Sequence, residues 1–490
     1  MTFIDSTVVN VALPALQRDL NATITEVQWV IEAYALFLGA LILVGGSTGD
    51  QFGRKRVFLG GVGFFTAASV FCGLATSTTA LIAGRALQGI GAAFLVPGSL
   101  AIISATYDDA DRGRAIGTWS GFSSITSAIG PVLGGWLIEH VSWRAAFFLN
   151  VPFAVAVVAL SSAFMDESRD PSRTERIDWI GAGLAVVGLG GIVFGLLEWP
   201  RRGMGDPLVM APLAAGVLSL VLFVVVERRA ANPMLPLTLF RSRVFTLTNI
   251  LTLLLYASLA LVLFLVPMNL IEIQHYTATA AGAALLPLSV IMFTLSRWSG
   301  GLIARVGGRL PLIVGPTIAA CGIALYAIPG IGGSYWVTFF PAIVVLGFGM
   351  AVTVAPLTTT VMGAVESQHA GVASGVNNAV ARVAGLLAIA VFGVILSQTF
   401  DARAVVSLDR LDLSQAARRS VDRELSKMAA ANVDSIRSMS QSQRLAVSRV
   451  IAEAFVYAFR VVFIGAAAVA LAAAAVVAAF FPRSRAVRSP

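Results

Sequence analysis

Charge is scarce in this chain. Asp, Glu, Lys and Arg make up only 12% of its 490 residues, and 57% are apolar. A soluble domain carries roughly a quarter charged residues, so a water-soluble fold is excluded. A mean hydropathy of +0.84 excludes disorder as well. Lysine is nearly missing: only Lys55 and Lys427 stand among 34 basic residues. Neither follows a glycine, so there is no phosphate loop of the Gly-Lys-Ser/Thr type, and the chain alone cannot bind ATP that way. The two cysteines, Cys72 and Cys321, lie in apolar runs and imply no disulfide framework or metal cluster. His140, His275 and His369 stand near run ends, which is poor material for a metal site. No clustered ligands, no nucleophile with a base and no soluble signalling domain are visible. The reading is therefore not an enzyme, with no cofactor. The net charge of +8 does not point to nucleic acid, because basic residues also mark cytoplasmic loops.

What is present is length in apolar runs. Crossing the hydrocarbon core takes roughly 20 apolar residues in a helix. Such runs cover 1–16, 27–48, 57–77, 79–103, 114–138, 143–165, 177–199, 207–227, 244–270, 279–304, 311–330, 335–362, 371–397 and 451–481. The class is an all-α polytopic membrane protein of 14 spans; short alternating segments of the β-barrel kind are not seen. With the amino terminus cytoplasmic, the inside loops and tail carry 17 basic residues and the short outside loops four, Arg18, Arg144, Arg201 and Arg202. That bias places both termini in the cytoplasm. Trp29, Trp143, Trp199 and Trp336 fall near outer run ends, as belt residues do. The outside loop 400–450 is long and rich in Arg, Asp, Ala and Leu, which suggests an amphipathic surface helix.

An internal repeat divides the chain. GSTGDQFGR (46–54) and GLIARVGGR (301–309) share the pattern Gly-x-x-x-charged-x-x-Gly-Arg at an offset of 255. Each lies between a span that ends inside and one that starts inside. The expected organisation is an amino-terminal six-helix half (1–165), an inserted helix pair (177–227) and a carboxy-terminal six-helix half (244–481) that includes loop 400–450. Two parallel halves are a transporter architecture, with the substrate site between them near the midplane.

Four stretches carry a resemblance. GSTGDQFGRKR (46–56) resembles the hallmark loop of the major facilitator superfamily, and LIAGRALQGIGAA (81–93) its fourth-helix motif. Residues 117–135, ending IGPVLGG, resemble the fifth-helix motif of its antiporters, with Thr126 where glycine is usual. DSTVVNVALP (5–14) resembles the first-helix motif of its drug:proton antiporters. Fourteen spans point to the fourteen-spanner branch. The resemblance implies the major-facilitator fold and a proton-coupled exporter of drugs or amphipathic small molecules in the cytoplasmic membrane. Its expected partners are a small-molecule substrate, the proton and the lipid bilayer, and it is expected to act as a monomer. A dedicated metabolite exporter, or an importer, on the same fold is the alternative.

The candidate residues follow. In the first loop Gly46, Gly49 and Gly53 permit a tight turn and close helix approach, Arg54, Lys55 and Arg56 hold the loop inside, and Asp50 can pair with Arg54 or face a helix amino terminus. The resemblance implies that this loop (Gly46, Asp50, Gly53, Arg54, Arg56) is a gate that latches the halves. In the second copy Arg305 stands where Asp50 stands, so the same acid latch is not available there. Gly117, Gly121, Gly130, Gly134 and Gly135 leave bare backbone for packing, Pro131 removes a helix hydrogen bond and permits a bend, and by resemblance this segment supports exchange and limits leakage. Asp5 and Glu32 are acids in apolar runs, suited to take a proton on one side and release it on the other. Arg85 and Arg382 are guanidinium groups inside runs, where a wet cavity or an acidic partner is expected; Arg382 is roughly 16 Å deep by helix rise. Arg297 and Arg460 are nearer run ends and expected to snorkel, and Glu198 to be interfacial. Asp5 stands close to Met1, whereas the resembling motif lies well inside a first helix, so either a start upstream of Met1 that adds an apolar stretch or the loss of part of the first helix is expected.

Overall fold

The computed structural model describes residues 1–106, 122, 126, 129–168, 178–230, 233–365, 370–411, 413–436 and 439–482. The described residues are helical throughout, with no strands. That is what apolar spans require, because in lipid each backbone N–H and C=O must be satisfied within the segment. The helices are α1 (Thr2–Asp19), α2 (Ile24–Phe52), α3 (Arg54–Gly73), α4 (Thr78–Thr106), α5 (129–140), α6 (Ala145–Phe164), α7 (Trp179–Arg202) and α8 (Pro207–Arg229). They continue with α9 (Arg243–Glu272), α10 (Ala278–Leu295), α11 (Pro311–Leu325), α12 (Phe340–Gly363), α13 (Ala370–Leu408), α14 (Gln415–Leu425) and α15 (Gln441–Phe480).

Among the described residues, 11 helices are long and apolar enough to cross a membrane. Each of the fourteen runs nevertheless carries a helix. The first run is the 18-residue α1, which continues through Gln17, Arg18 and Asp19. The eleventh run is the 15-residue α11, and the fifth begins outside the described residues. Helix starts follow local chemistry. Thr23 and Glu26 form a capping box on α2, as Ser440 and Gln443 do on α15. Asp178 caps α7, and Asp206 caps α8 ahead of Pro207.

Of the inserted pair, α7 packs into the molecule and α8 is largely exposed. Leu189 and Val193 of α7 share one apolar cluster with Leu36 and Ala40 of α2 and with Leu386 and Ala390 of α13. The Trp29 and Phe194 rings meet at 6.1 Å. α7 thus covers the flank of the line where α2 meets α13.

The loop expected over 400–450 is shorter. α13 is helical to Leu408 and α15 starts at Gln441. Between them, the amphipathic α14 buries Ala417, Val421 and Leu425. This segment lies over the α1–α2 turn: Ile24 N donates to Ser426 O (3.1 Å), Gln17 Nε2 to Lys427 O (3.1 Å) and Lys427 Nζ to Asn21 Oδ1 (2.5 Å). At the same end Arg18 pairs with Glu272, and Glu139 of α5 accepts from Thr279 N (3.1 Å) and Thr279 Oγ1 (2.6 Å). The described polar contacts between the amino-terminal helices (α1–α6) and the carboxy-terminal helices (α9–α15) gather here.

Candidate functional site

Asp5 sits one turn into α1 and is 1% exposed. Its carboxylate is the hub of a network drawn from five helices. Arg85 Nη1 of α4 reaches Oδ2 at 2.6 Å, and Gln88 Nε2 of α4 and Asn150 Nδ2 of α6 each donate to Oδ1 at 3.1 Å. Ser69 Oγ of α3 accepts from Gln88 (3.0 Å) and Asn150 (2.9 Å) and donates to Phe147 O. Arg85 also donates through Nε to Val30 O of α2 (3.0 Å) and through Nη1 to Gln88 Oε1 (2.9 Å), and it lies over the Tyr34 ring at 4.2 Å. Arg85 is 1% exposed, and of the wet cavity or acidic partner expected for it, it has the partner. The unit is neutral when Asp5 is ionised, and its donors and acceptors are matched. This is how a buried ion pair persists away from water.

Glu32 lies in the same slab of the molecule and is its opposite. It is fully buried, and neither carboxyl oxygen has a hydrogen-bond partner. A Cβ on Gly393 would meet the Gln28 side chain, one on Gly39 would lie 3.5 Å from Arg382 Cβ, and one on Gly375 would lie 3.4 Å from Leu43. Gln28, Gly39 and Leu43 therefore face α13, and helical periodicity puts Glu32 on the same stripe. Glu32 belongs to the seam between the two helix groups, apart from the Asp5 network.

Arg382 comes from the other side of this seam. It is half-buried and, among the described residues, has no hydrogen-bond or ion-pair partner. Its charge acts on Tyr34 of α2 and Tyr256 of α9. Near it, the polar contact between α9 and α13 is neutral: Asn377 Nδ2 donates to Asn249 Oδ1 (3.1 Å) and Thr252 Oγ1 (2.7 Å).

The 46–56 stretch differs from expectation. Gly46 and Gly49 are inside α2, with room for a Cβ at ordinary contact distance. The close approach is at Gly45, where a Cβ would strike the Ala93 carbonyl of α4. Only Gly53 makes the turn, at φ 107°. The side chain of Asp50 lies outside the described residues. The acid that meets the start of α3 is Glu167, which accepts from Lys55 N (3.0 Å) and Arg56 N (3.2 Å) and lies 3.9 Å from Arg56 Nε. Arg54 N donates to Ser168 O, and Lys55 Nζ to Met165 O. Free N–H groups at a helix start attract an anion, and Glu167 supplies it. In the second copy the positive-φ turn is at Gly307 (φ 73°), one residue before the position that matches Gly53.

The fifth-helix motif makes contacts rather than a site. Gly130 and Gly134 face α1, where a Cβ would collide with Thr7 and Val8. Gly135 faces α10: a Cβ would come within 2.4 Å of Ala278 O, and one on Gly282 would strike Pro131 O. Gly117, Gly121, Arg112, Arg114, Arg169, Arg173, Arg176, His369, the tail arginines and the Arg297 side chain lie outside the described residues.

Three smaller expectations have separate outcomes. Trp143 is buried, with its indole N–H donating to Asp19 Oδ2 (2.8 Å), and is not a belt residue. Arg460 donates to the Ile328 and Pro329 carbonyls in the turn that follows α11. Glu198 stays near the helix end, where it pairs with Arg202 (2.8 Å). Sequence reasoning missed Gln88, Asn150 and Ser69. Gln88 was within sight, three residues after Arg85 and so on the same helical face.

Comparison with known proteins agrees with this architecture. The family model of the Major Facilitator Superfamily matches residues 1–389. The multidrug resistance protein Stp of Mycobacterium tuberculosis is 33% identical over 411 residues, which cover 84% of this chain and 76% of that protein. The tetracenomycin C resistance and export protein of Streptomyces glaucescens is 33% identical over 486 residues, covering 97% of this chain and 88% of that one. Among solved structures, an inward-facing, unoccupied bacterial homologue of the human lysosomal transporter Spinster superposes with a TM-score of 0.63 at 16% identity, over 98% of this chain and 96% of that chain. An auto-inhibited peptide transporter of the POT family gives 0.63 at 14% identity, over 100% and 98%.

Proposed function

The chain belongs to the major facilitator superfamily, a family of multi-pass transporters of small molecules, and from that premise we propose that it exports amphipathic small molecules in exchange for protons. Relatives named for antibiotic resistance and export support the direction and the substrate class. The bias of basic residues supports a cytoplasmic position for both termini, which makes the α1–α2 end extracytoplasmic. Stp and its like carry no proton in their names; the proton rests on the residues.

The observation that carries proton coupling is the Glu32 carboxyl, fully buried at the seam with both oxygens unpartnered. An ionised carboxylate without donors is costly in apolar surroundings. Glu32 therefore needs a proton or a cationic partner, and these compete for one place. Competition of this kind is what exchange requires: substrate entering from the cytoplasm releases the proton, and a proton arriving from outside releases the substrate. At 100 mV each inward charge adds roughly 2.3 kcal/mol to the drive. Asp5 and Arg85 act beside it as a charge-balanced lock on α1, α2, α3, α4 and α6, and Arg85 reaches toward the seam through the Tyr34 ring. Closure of the extracytoplasmic end belongs to Gly135, Gly282 and the 409–440 segment.

The test uses energised inverted vesicles containing the chain, an internal pH dye and added ethidium. Substrate-triggered proton release that disappears in Glu32→Gln is expected. Ethidium export without proton movement overturns the coupling, and a silent response from well-folded protein shifts the reading to a dedicated metabolite exporter.

A further inference from the structure

The seam carries a second unmatched charge. Arg382 has five N–H donors and, among the described residues, no acceptor for any of them. A guanidinium this far inside a spanning helix is expensive unless it is met by an acid or by water. Arg85 shows what a resident guanidinium looks like in this protein: it holds a carboxylate, an amide, a carbonyl and a ring face. Arg382 has none of these. It faces Gly39, whose missing Cβ lets the helices approach, and its charge acts on one tyrosine from each helix group, Tyr34 and Tyr256. A guanidinium whose donors are unmet suits a molecule with a forked oxygen group.

The two unmatched charges have a fixed spacing. α2 and α13 run antiparallel, with Gln28 opposite Gly393 and Gly39 opposite Arg382. That register places Glu32 seven residues along α13 from Arg382, or about 10 Å by helix rise. Neither carboxyl oxygen of Glu32 has a hydrogen-bond partner, and among the described residues it forms no ion pair with Arg382, so the two are not each other's partner.

We propose that Arg382 anchors an acidic group of the transported molecule, and that this molecule is amphoteric, its basic end displacing the proton from Glu32. This rests on the exporter reading above and names its substrate class. The exchange balances: neutral protonated Glu32 and a zwitterion give a carboxylate paired with the substrate's cation, plus one free proton. Arg382 keeps its charge throughout and takes the substrate's carboxylate.

Three probes of one scaffold separate the ends. Norfloxacin is an intrinsically fluorescent zwitterion with acid and amine at opposite ends of a rigid ring system. Its methyl ester keeps only the cation and its N-acetyl derivative only the anion. Binding to the purified full-length chain is read by fluorescence anisotropy. Norfloxacin is expected to bind tightest. Arg382→Gln is expected to weaken norfloxacin by about thirtyfold, the loss of one partner from a desolvated charged pair, and to leave the ester within about twofold. Glu32→Gln is expected to weaken norfloxacin and the ester and to spare the N-acetyl derivative. Arg382→Lys, which keeps the charge and loses the fork, falls between. Equal weakening of acid and ester by Arg382→Gln overturns the proposal, as does a native chain that binds none of the three. Loss of all binding in each single variant with recovery in the double variant also overturns it, because the two residues would then be partners of each other. Binding that follows the expected pattern in a chain whose vesicles move neither norfloxacin nor protons keeps the two-ended binding site and overturns proton-coupled export.

Discussion

Asp5 and Glu32 are both buried acids, 1% and 0% exposed, yet the protein treats them in opposite ways. Asp5 receives three side-chain donors from two other helices. Glu32 receives none. The first lies inside the amino-terminal helices, which α1, α3, α4 and α6 tie together through one network. The second lies at the seam between helix groups, where contacts are made by Gly39, Gly375 and Gly393 and by apolar side chains. A satisfied network rigidifies whatever it joins. An unsatisfied acid has a proton or a partner still to exchange. On the function proposed above, Asp5 is structural and Glu32 is the exchanging acid.

The comparison breaks most sharply at Arg85. Arg85→Ala leaves Asp5 buried without its cation and is expected to cost about 3–5 kcal/mol, read as loss of folded, monodisperse protein in detergent. Asp5→Asn, which keeps a polar group of the same shape, is expected to be milder. Next is Gly135→Ala. Its new methyl collides with the backbone at Ala278 and Thr279, so about 1–3 kcal/mol is lost from the contact between α5 and α10. Cysteine labelling at Asn21 in an otherwise cysteine-free chain is expected to rise in that variant. Glu167→Ala removes the anion at the start of α3 and is expected to lower thermal stability by about 1 kcal/mol, as loss of a helix cap does.

Asp19 gives a smaller, pH-dependent effect outside the spans. The Trp143 indole and then the Arg144 guanidinium hold its carboxyl below the usual range for aspartate. Its contribution is therefore present above the unfolded value of about 3.9 and fades as pH falls through the folded one. Thermal melts of Asp19→Asn are expected to trail the native chain at pH 6 and to converge with it in acid. Glu32→Gln closes the series: with no bond to lose, its stability is expected within about 0.5 kcal/mol of the native chain.

How much of this was legible without coordinates varies with the kind of interaction. Helices announce themselves through runs of apolar residues, so each of the fourteen runs has its helix. A charge inside such a run is equally conspicuous, which is why Asp5, Glu32, Arg85 and Arg382 were all candidates. Their partners were not, because Ser69, Gln88 and Asn150 are neutral and come from helices distant in the chain. The motif placed the first-loop turn among Gly46, Gly49 and Gly53, of which only Gly53 makes it, and Glu167, which completes it, lies 111 residues from Arg56 and outside any motif. The fifth-helix glycines read as a bare face. That one part of this face meets α1 and another meets α10 is a tertiary fact.

The account stands or falls on which acid gives up a proton when substrate arrives. Purified chain in weakly buffered detergent with a pH dye, mixed with a saturating amphoteric fluorophore, reads this directly. Proton release in the native chain, retained in Asp5→Asn and lost in Glu32→Gln, is the predicted result. Release that persists in Glu32→Gln and vanishes in folded Asp5→Asn would contradict it and return the proton to the network in the amino-terminal helices.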